Sequence, residues 1–479
     1  MERMIMNRVI YDEHRWLPRS ELLLGAVLAV ELLLLLGYPA LYHGEMIWDD
    51  LAVRMAARQD FADAGTTEFA FFSAWLGALP AILLEDGTSR FFLRFPSCAM
   101  CVLSIWAVMG ICRQVWEEQT ALTVGWMLAG SIGFLWYGRL AVPLMAATGA
   151  ALLTLYCAFR YLEKEGSRSA LFAMAILFPI GAWCGGIWAQ FAVFPLLIPF
   201  LLQEERWKWL LRPFFCVMAL IGILVYFAPF LVSAALDHWQ EKGEIVPDWH
   251  FLWQTVLMVL ERQFNGQNWF QFSRYGHFSV WGWGILPYLP LTVAAFWEFC
   301  RNRAALSDTT CRLGCGMLLT APWLLLTPAS EFGALFFLVL LIWFTAAVLC
   351  ERYGSAVLTR GEWILRWMLI LSGSLALTGL LPELLSNALV GIPLPGWLIP
   401  AMPVGGAAAL LILRCGERYP GALERLTALP GNAAALILAG LVLSMALISW
   451  ALPLADPLRY PVEQTLSGPV FPAESDGMD

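Results

Sequence analysis

The sequence predicts an all-α protein that crosses a membrane many times. Hydrophobic residues make up 60% of its 479 residues, charged residues make up only 14%, and the mean hydropathy is +0.68. A soluble domain is usually about half apolar and about a quarter charged, so one water-soluble core cannot bury this much apolar surface. Apolar runs of about 20 residues, the length of a membrane-spanning helix, recur along the chain. The alternating pattern of barrel strands is missing from the sequence.

The hydropathy pattern predicts thirteen spans. The run from Phe69 to Leu84 is excluded, because Glu68 before it and Pro80 near its end are typical of a helix that lies at the membrane interface. With this choice and a cytoplasmic N-terminus, most Lys and Arg residues fall in inner loops, as the positive-inside rule requires. The predicted spans are residues 20–42, 95–112, 119–138, 142–161, 169–186, 188–203, 213–235, 279–300, 313–328, 332–350, 367–385, 395–413 and 431–453.

These spans divide the chain into four regions. They are a cytoplasmic N-terminus (1–19), a transmembrane core (20–350), further C-terminal transmembrane helices (351–454) and a short, Pro-rich outer tail (455–479). Within the core, the two large outer segments are a first loop, 43–94, and a long loop, 236–278. No glycosylation sequon falls on an outer segment. We therefore expect a multi-pass protein of a bacterial inner membrane.

Several function classes fit the sequence poorly. No Lys/Arg-rich tract with interleaved aromatic residues is present, so nucleic acid is not expected as a partner. Internal repeats and an intramembrane series of ionisable residues, both typical of transporters, are missing. Cys98 and Cys101 have the spacing of a redox motif, but they lie inside a predicted span, which favours packing over redox chemistry.

The first outer loop carries two carboxylates on a predicted amphipathic helix. Ile47, Leu51 and Met55 recur at helical spacing, which indicates an apolar face. Glu45 precedes the first turn, and Asp49 follows four residues later on the same side. One interpretation is a capped, solvated interfacial helix. The other is a pair of carboxylates directed at one place near the membrane surface.

Three short motifs resemble a known superfamily. Three segments carry the resemblance: one after the first span, one at the start of the second and one at the end of the third. They are Gly44–Met55, Leu93–Ser97 (LRFPS) and Gly138–Leu144 (GRLAVPL). Their order is similar to that in GT-C glycosyltransferases of the protein O-mannosyltransferase and aminoarabinose-transferase type. The resemblance covers most of residues 20–350. It implies a GT-C-like fold with amphipathic interfacial helices in the first outer loop.

The resemblance also implies an activity. Members of this superfamily transfer a sugar from a polyprenyl-phosphate donor to a hydroxyl of a lipid or protein acceptor on the outer face of the membrane. Such a reaction needs a carboxylate that takes the acceptor's proton and cations that stabilise the departing phosphate. The resemblance assigns the catalytic carboxylate to Glu45, with Asp49 as the second acidic residue of the site.

Arginines on the predicted outer side are candidates for binding the donor phosphate. Arg94 and Arg139 lie within the matching motifs, and Arg274 lies in the long loop with Arg262. A guanidinium group suits a phosphate because its N–H groups form two parallel hydrogen bonds. Contact with lipid headgroups is the alternative role for each of these arginines.

A metal site is a further hypothesis. Glu68 and His277 are the preferred pair of ligands for one divalent cation, because they fall closest to the interfacial positions of the resembling family. A solvated loop histidine is the alternative interpretation.

Two departures from the family pattern support a second hypothesis for the function. Gly44 and Leu144 stand where the family carries aspartates. The alternative is therefore a catalytically impaired relative that binds a lipid-linked ligand or serves as a scaffold subunit of an envelope complex.

The long outer loop is rich in tryptophan and contains a predicted interfacial helix at 251–264. The aromatic residues suit either a belt at the membrane interface or a cleft for a sugar or prenyl chain, and the sequence leaves both open. The residues are Trp239, Trp249, Trp253, Trp269, Trp281 and Trp283.

Overall fold

The computed structural model describes residues 17–33, 76, 90–140, 143–163, 167–242, 249–265, 281–326, 330–379 and 400–451. Within these ranges every regular element is helical, including two 3₁₀ helices (Gln203–Leu211 and Arg303–Ala305), and the α-helices are numbered in chain order. They are α1 (Leu17–Leu33), α2 (Arg90–Val115), α3 (Glu118–Ala129), α4 (Ile132–Arg139), α5 (Pro143–Glu163), α6 (Arg168–Gly185), α7 (Ile187–Phe191), α8 (Val193–Leu201), α9 (Pro213–Lys242), α10 (Trp249–Asn265), α11 (Leu289–Arg301), α12 (Asp308–Leu326), α13 (Ser330–Arg352), α14 (Ala356–Leu377), α15 (Ala401–Arg418), α16 (Pro420–Thr427) and α17 (Ala433–Ala451).

The protein is an all-α polytopic membrane protein, as the composition predicts. Five of the described helices are long and apolar enough to cross a bilayer, and the bent pair α3–α4 would make a sixth. They are Phe91–Val115, Leu144–Glu163, Arg168–Gly185, Pro213–Val232 and Gly333–Arg352. The total of thirteen spans stays a prediction.

The spans predicted at 119–138 and 188–203 are interrupted rather than continuous. The span expected at 119–138 consists of α3 and α4, which meet at an angle of 65°. The span expected at 188–203 is divided into α7 and α8 at Ala192. In the first case the break falls at Gly130 and Ser131, and Gly/Ser pairs are a known cause of sharp bends in helices.

The backbone groups freed by the bend between α3 and α4 find partners elsewhere. Ser444 of α17 donates its hydroxyl to the carbonyl oxygen of Gly130 at 2.8 Å. The N–H of Ile132 donates to the carbonyl oxygen of Leu286 at 3.1 Å. A bend inside a membrane is stable only when such groups are satisfied by neighbouring protein. The packing of α17 and of the turn before α11 therefore fixes the direction of α4.

The core is built around α13, which is almost wholly buried and contacts α3, α4, α5, α11 and α12. Fully buried aromatic side chains, among them Trp343, Phe336 and Phe344, fill the space between these helices. In contrast, α9 directs large apolar side chains outward, including Leu220 and Leu224. An apolar helix face without protein contacts suits the lipid phase.

Much of the segment predicted as the long outer loop, 236–278, is helical. Helix α9 runs to Lys242, beyond the predicted end of its span at residue 235. Helix α10 covers the interfacial helix predicted at 251–264.

Candidate functional site

Helices α1, α2 and α4 meet at Cys98. Its thiol donates to the carbonyl oxygen of Gly138 at 3.1 Å and lies 3.7 Å from the carbonyl oxygen of Leu32. Gly138 permits the close approach of α4 to α2, because a Cβ atom at this position would lie only 2.9 Å from the sulfur of Cys101 on α2. Both cysteines are free and buried, so the CAMC segment packs between helices as predicted.

Arg94 and Arg139 converge on this junction. Arg94 lies in the second turn of α2 and is 2% exposed, whereas Arg139 is the last residue of α4 and is 7% exposed. Both guanidinium groups are close enough to Cys98 to interact with its sulfur electrostatically. Arg139 also lies at the negative end of the α4 dipole, which stabilises a cation. Two phosphate-binding candidates from separate motifs therefore belong to one buried cluster.

A third ionisable residue, Glu31 of α1, belongs to the same cluster. Its side chain is 4% exposed and interacts electrostatically with Arg139, Cys101 and Tyr288. Within the described part of the chain, neither of its carboxyl oxygens has a hydrogen-bond partner. We name the set Glu31, Arg94, Cys98 and Arg139 the arginine cluster. Glu31 is not among the site residues predicted from the sequence, although a lone acid in an apolar span is itself a signal of function.

The other predicted site residues fall in other parts of the chain. Glu45, Asp49, Glu68, Arg274 and His277 all lie outside the described residues, so their roles stay predictions. The same holds for Gly44. Leu144, which replaces the second family aspartate, lies in the first turn of α5 and packs against the hydrophobic core.

The described residues do not assemble a metal site by themselves. No group of three or more His, Cys, Asp or Glu side chains among them is arranged to hold a metal ion. The hypothesis of a divalent cation therefore depends on Glu68 and His277, outside this part of the structure.

Comparisons with known proteins agree with this architecture. Residues 68–232, about a third of the chain, match the family model of dolichyl-phosphate-mannose-protein mannosyltransferases. The match includes Arg94 and Arg139 and begins after Glu45. A comparison with curated protein sequences gives no significant match.

Solved structures decide the fold. The chain is similar to ArnT from Cupriavidus metallidurans bound to undecaprenyl phosphate, with a TM-score of 0.64, 15% identity, and coverage of 93% of this chain and 80% of that one. The chain has the GT-C fold. The apo state of the same ArnT gives a TM-score of 0.60 at 13% identity, with 94% and 80% coverage. The chain therefore shares its helix arrangement with ArnT over almost its full length.

Proposed function

We propose that this GT-C protein transfers a sugar from a polyprenyl-phosphate-linked donor to a hydroxyl of a lipid or protein acceptor on the outer face of a bacterial inner membrane. The observation that carries the proposal is the convergence of Arg94 and Arg139 within the arginine cluster. An ArnT structure with undecaprenyl phosphate bound supports a lipid phosphate as the ligand of this fold.

The arginine cluster has the chemistry that a lipid-linked phosphate requires. Arginine stays charged at every physiological pH and presents several N–H donors in one plane. Arg94 and Arg139 approach from different helices, α2 and α4, so a phosphate between them would receive donors from two directions. Because both are buried, their attraction for an anion is screened less than it would be in water.

The reaction follows from these groups. An acceptor hydroxyl attacks the anomeric carbon of the donor sugar, and the bond between that carbon and the phosphate oxygen breaks. The electron pair of that bond leaves with the phosphate, which becomes polyprenyl phosphate. We assign the acceptor's proton to Glu45, with Asp49 beside it, and the stabilisation of the departing phosphate to Arg94, Arg139 and Arg274. A divalent cation held by Glu68 and His277 would add positive charge at the same step.

A transfer assay in proteoliposomes tests this function. Purified protein would receive polyprenyl-phosphate sugars with a labelled sugar, together with lipid and peptide acceptors. We expect transfer by the wild-type protein, a loss of at least about a hundredfold with Glu45→Gln, and a smaller loss with Asp49→Asn. Arg312→Gln is the matched control, because Arg312 pairs with an exposed aspartate on α12, a helix that contributes no residue to the cluster. Transfer that is unchanged by Glu45→Gln would remove Glu45 from the mechanism.

A specific observation favours the second candidate, a binder of lipid-linked ligands or a scaffold subunit without catalysis. Leu144 occupies a family acid position and is packed against the apolar core, so that position no longer offers a carboxylate. The same proteoliposomes distinguish the two functions. Binding of polyprenyl phosphate without transfer from any donor would support the binder. Transfer that depends on Glu45 would exclude it.

A further inference from the structure

Trp136 and Trp283 form an aromatic pair between two distant parts of the chain. Trp136 lies on α4, and Trp283 lies in the segment before α11. Their rings meet edge to face, with centroids 6.3 Å apart and an interplanar angle of 86°. Both side chains are partly exposed, so the pair presents aromatic surface that a ligand can cover.

Helical spacing sets the position of this pair relative to Arg139. Gly133, Trp136 and Arg139 are three residues apart, so they form one row along α4, with about 5–6 Å between successive Cβ positions. At the start of the row, Gly133 lies against the backbone of Gly284. Trp136 then contacts Trp283, and Arg139 ends the row in the arginine cluster. A sugar is joined to its phosphate through one oxygen atom, so a phosphate at Arg139 would place the sugar within reach of the pair.

The indole N–H groups of the pair are not used by the fold. Within the described part of the chain, neither Trp136 nor Trp283 donates a hydrogen bond from its indole. Trp281, two residues before Trp283, differs in both respects. Its N–H donates to the carbonyl oxygen of Ala334 at 3.1 Å, and its ring centroid lies 4.5 Å from that of Phe337. Trp281 is therefore part of the packing, whereas the pair keeps two donors for a ligand.

We propose that Trp136 and Trp283 bind the sugar ring of the polyprenyl-phosphate-linked donor. This inference rests on the proposed function and identifies residues that contact the transferred group. A sugar ring presents C–H groups on its face and hydroxyl groups at its rim. The negative face of an indole ring attracts the C–H groups, and the indole N–H donates to a hydroxyl oxygen. A prenyl chain offers no acceptor to these N–H groups, so the unused donors favour the sugar as the bound group.

The test compares two kinds of ligand on purified protein in detergent, by calorimetry. One is a short-chain polyprenyl phosphate, and the other is the same lipid with a sugar on its phosphate, a hexose in one preparation and an aminopentose in another. For Trp136→Leu and for Trp283→Leu we expect binding of the sugar-linked lipid to weaken roughly tenfold, and binding of the bare phosphate to change by less than about twofold. Trp283→Phe keeps a ring and should lose less. Trp253→Leu is the control and should leave both affinities unchanged, because Trp253 is an outer-loop tryptophan that is 51% exposed on α10.

The variants of Trp283 cover the case in which Trp136→Leu does not fold. Trp136 packs against the hydrophobic core, whereas Trp283 is not among the described residues that do so. Equal weakening for both ligands would mean that the pair contacts the prenyl chain, and no weakening would leave the pair as part of an interfacial belt. Either result would overturn the inference, as would a wild-type protein that binds the bare phosphate but no sugar-linked lipid. Failure of the wild-type protein to bind either ligand would instead contradict the proposed function.

Discussion

The thiol of Cys98 donates to the carbonyl oxygen of Gly138 at 3.1 Å, so α2 holds the backbone at the residue directly before Arg139. We predict that Cys98→Ala weakens binding of polyprenyl phosphate roughly three- to tenfold, the range expected for one lost hydrogen bond. Cys101→Ala is the matched control, because Cys101 is equally buried on the same helix but has no such bond to Gly138 among the described contacts.

Calorimetry with polyprenyl phosphate checks this prediction. Cys98→Ser should bind better than Cys98→Ala, since a hydroxyl still donates a hydrogen bond. Equal losses for Cys98→Ala and Cys101→Ala would mean that packing volume, rather than the bond to Gly138, controls the position of Arg139.

A glycine contact controls how closely α4 approaches the segment before α11. A Cβ atom at Gly133 would lie 2.6 Å from the backbone Cα of Gly284 and 3.0 Å from Leu338. We predict that Gly133→Ala destabilises the protein by about 1–3 kcal/mol, because the backbone must shift. Gly25→Ala is the control, since nothing lies within 4 Å of that position. It should be neutral or slightly stabilising, as expected for alanine in a helix.

Thermal unfolding in detergent checks the glycine prediction. The midpoint for Gly133→Ala should fall by several degrees, whereas that for Gly25→Ala should not fall. Equal midpoints for the two variants would show that α4 can move away from Gly284 without loss, and the bend at Gly130 would then not be fixed by this contact.

The fold was predictable from the sequence because long apolar runs leave a chain few alternatives to transmembrane helices. Arg94 and Arg139 were identifiable for a related reason: charges at the predicted outer ends of spans are unusual, and here they fall within short motifs. Their convergence was not predictable. It depends on the 65° bend between α3 and α4, and a hydropathy average over about 19 residues does not register the Gly130–Ser131 break that causes it.

Glu31 shows a second limit of sequence analysis. In the sequence it is one acid in a strongly apolar run, and the average hydropathy of the run stays high despite its charge. Its charged neighbour Arg139 is more than a hundred residues away in the chain, and only tertiary packing brings the two together. The carboxylates of the first outer loop, in contrast, are identifiable from the sequence. The motif resemblance singles out Glu45, and its position lies outside the described residues.

An ion pair between a buried carboxylate and a partly exposed arginine joins α11 to α13 at their C-terminal ends. Arg352 donates to the Oε1 of Glu298 at 2.8 Å, and Asn302 donates to its Oε2 at 3.1 Å. Glu298 is fully buried. We predict that Arg352→Met destabilises the protein by about 3–5 kcal/mol, because the carboxylate is left buried without its counter-ion. Arg312→Met, which breaks a pair with an exposed aspartate, should cost at most about 1 kcal/mol.

Denaturant unfolding of the single variants and of the double variant Glu298→Gln/Arg352→Met measures this pair. The double variant should recover part of the stability lost by Arg352→Met, since no charge is then left unpaired. A double variant less stable than Arg352→Met would contradict the ion-pair account.

The hydroxyl of Tyr353 connects the loop after α13 to the turn before α17. It accepts a hydrogen bond from the backbone N–H of Asn432 at 2.9 Å. Partial burial, together with the nearby carboxylates of Glu362 and Glu424, raises the pKa of Tyr353 above its ordinary value. Because the folded pKa exceeds the unfolded value of about 10, the neutral hydroxyl contributes stability below about pH 10 that is lost as the pH rises through the folded pKa. We therefore predict that stability falls at alkaline pH partly through Tyr353.

Tyr353→Phe isolates this contribution. The variant should be less stable than wild type at about pH 8, because Asn432 loses its acceptor, but the difference should narrow by about pH 11. Tyr419→Phe is the control, since Tyr419 is 56% exposed, against 38% for Tyr353, and its variant should differ little in stability from wild type. Unfolding midpoints at the two pH values give the comparison. If the gap between wild type and Tyr353→Phe stays constant with pH, the hydroxyl does not titrate with unfolding, and its role is limited to holding Asn432.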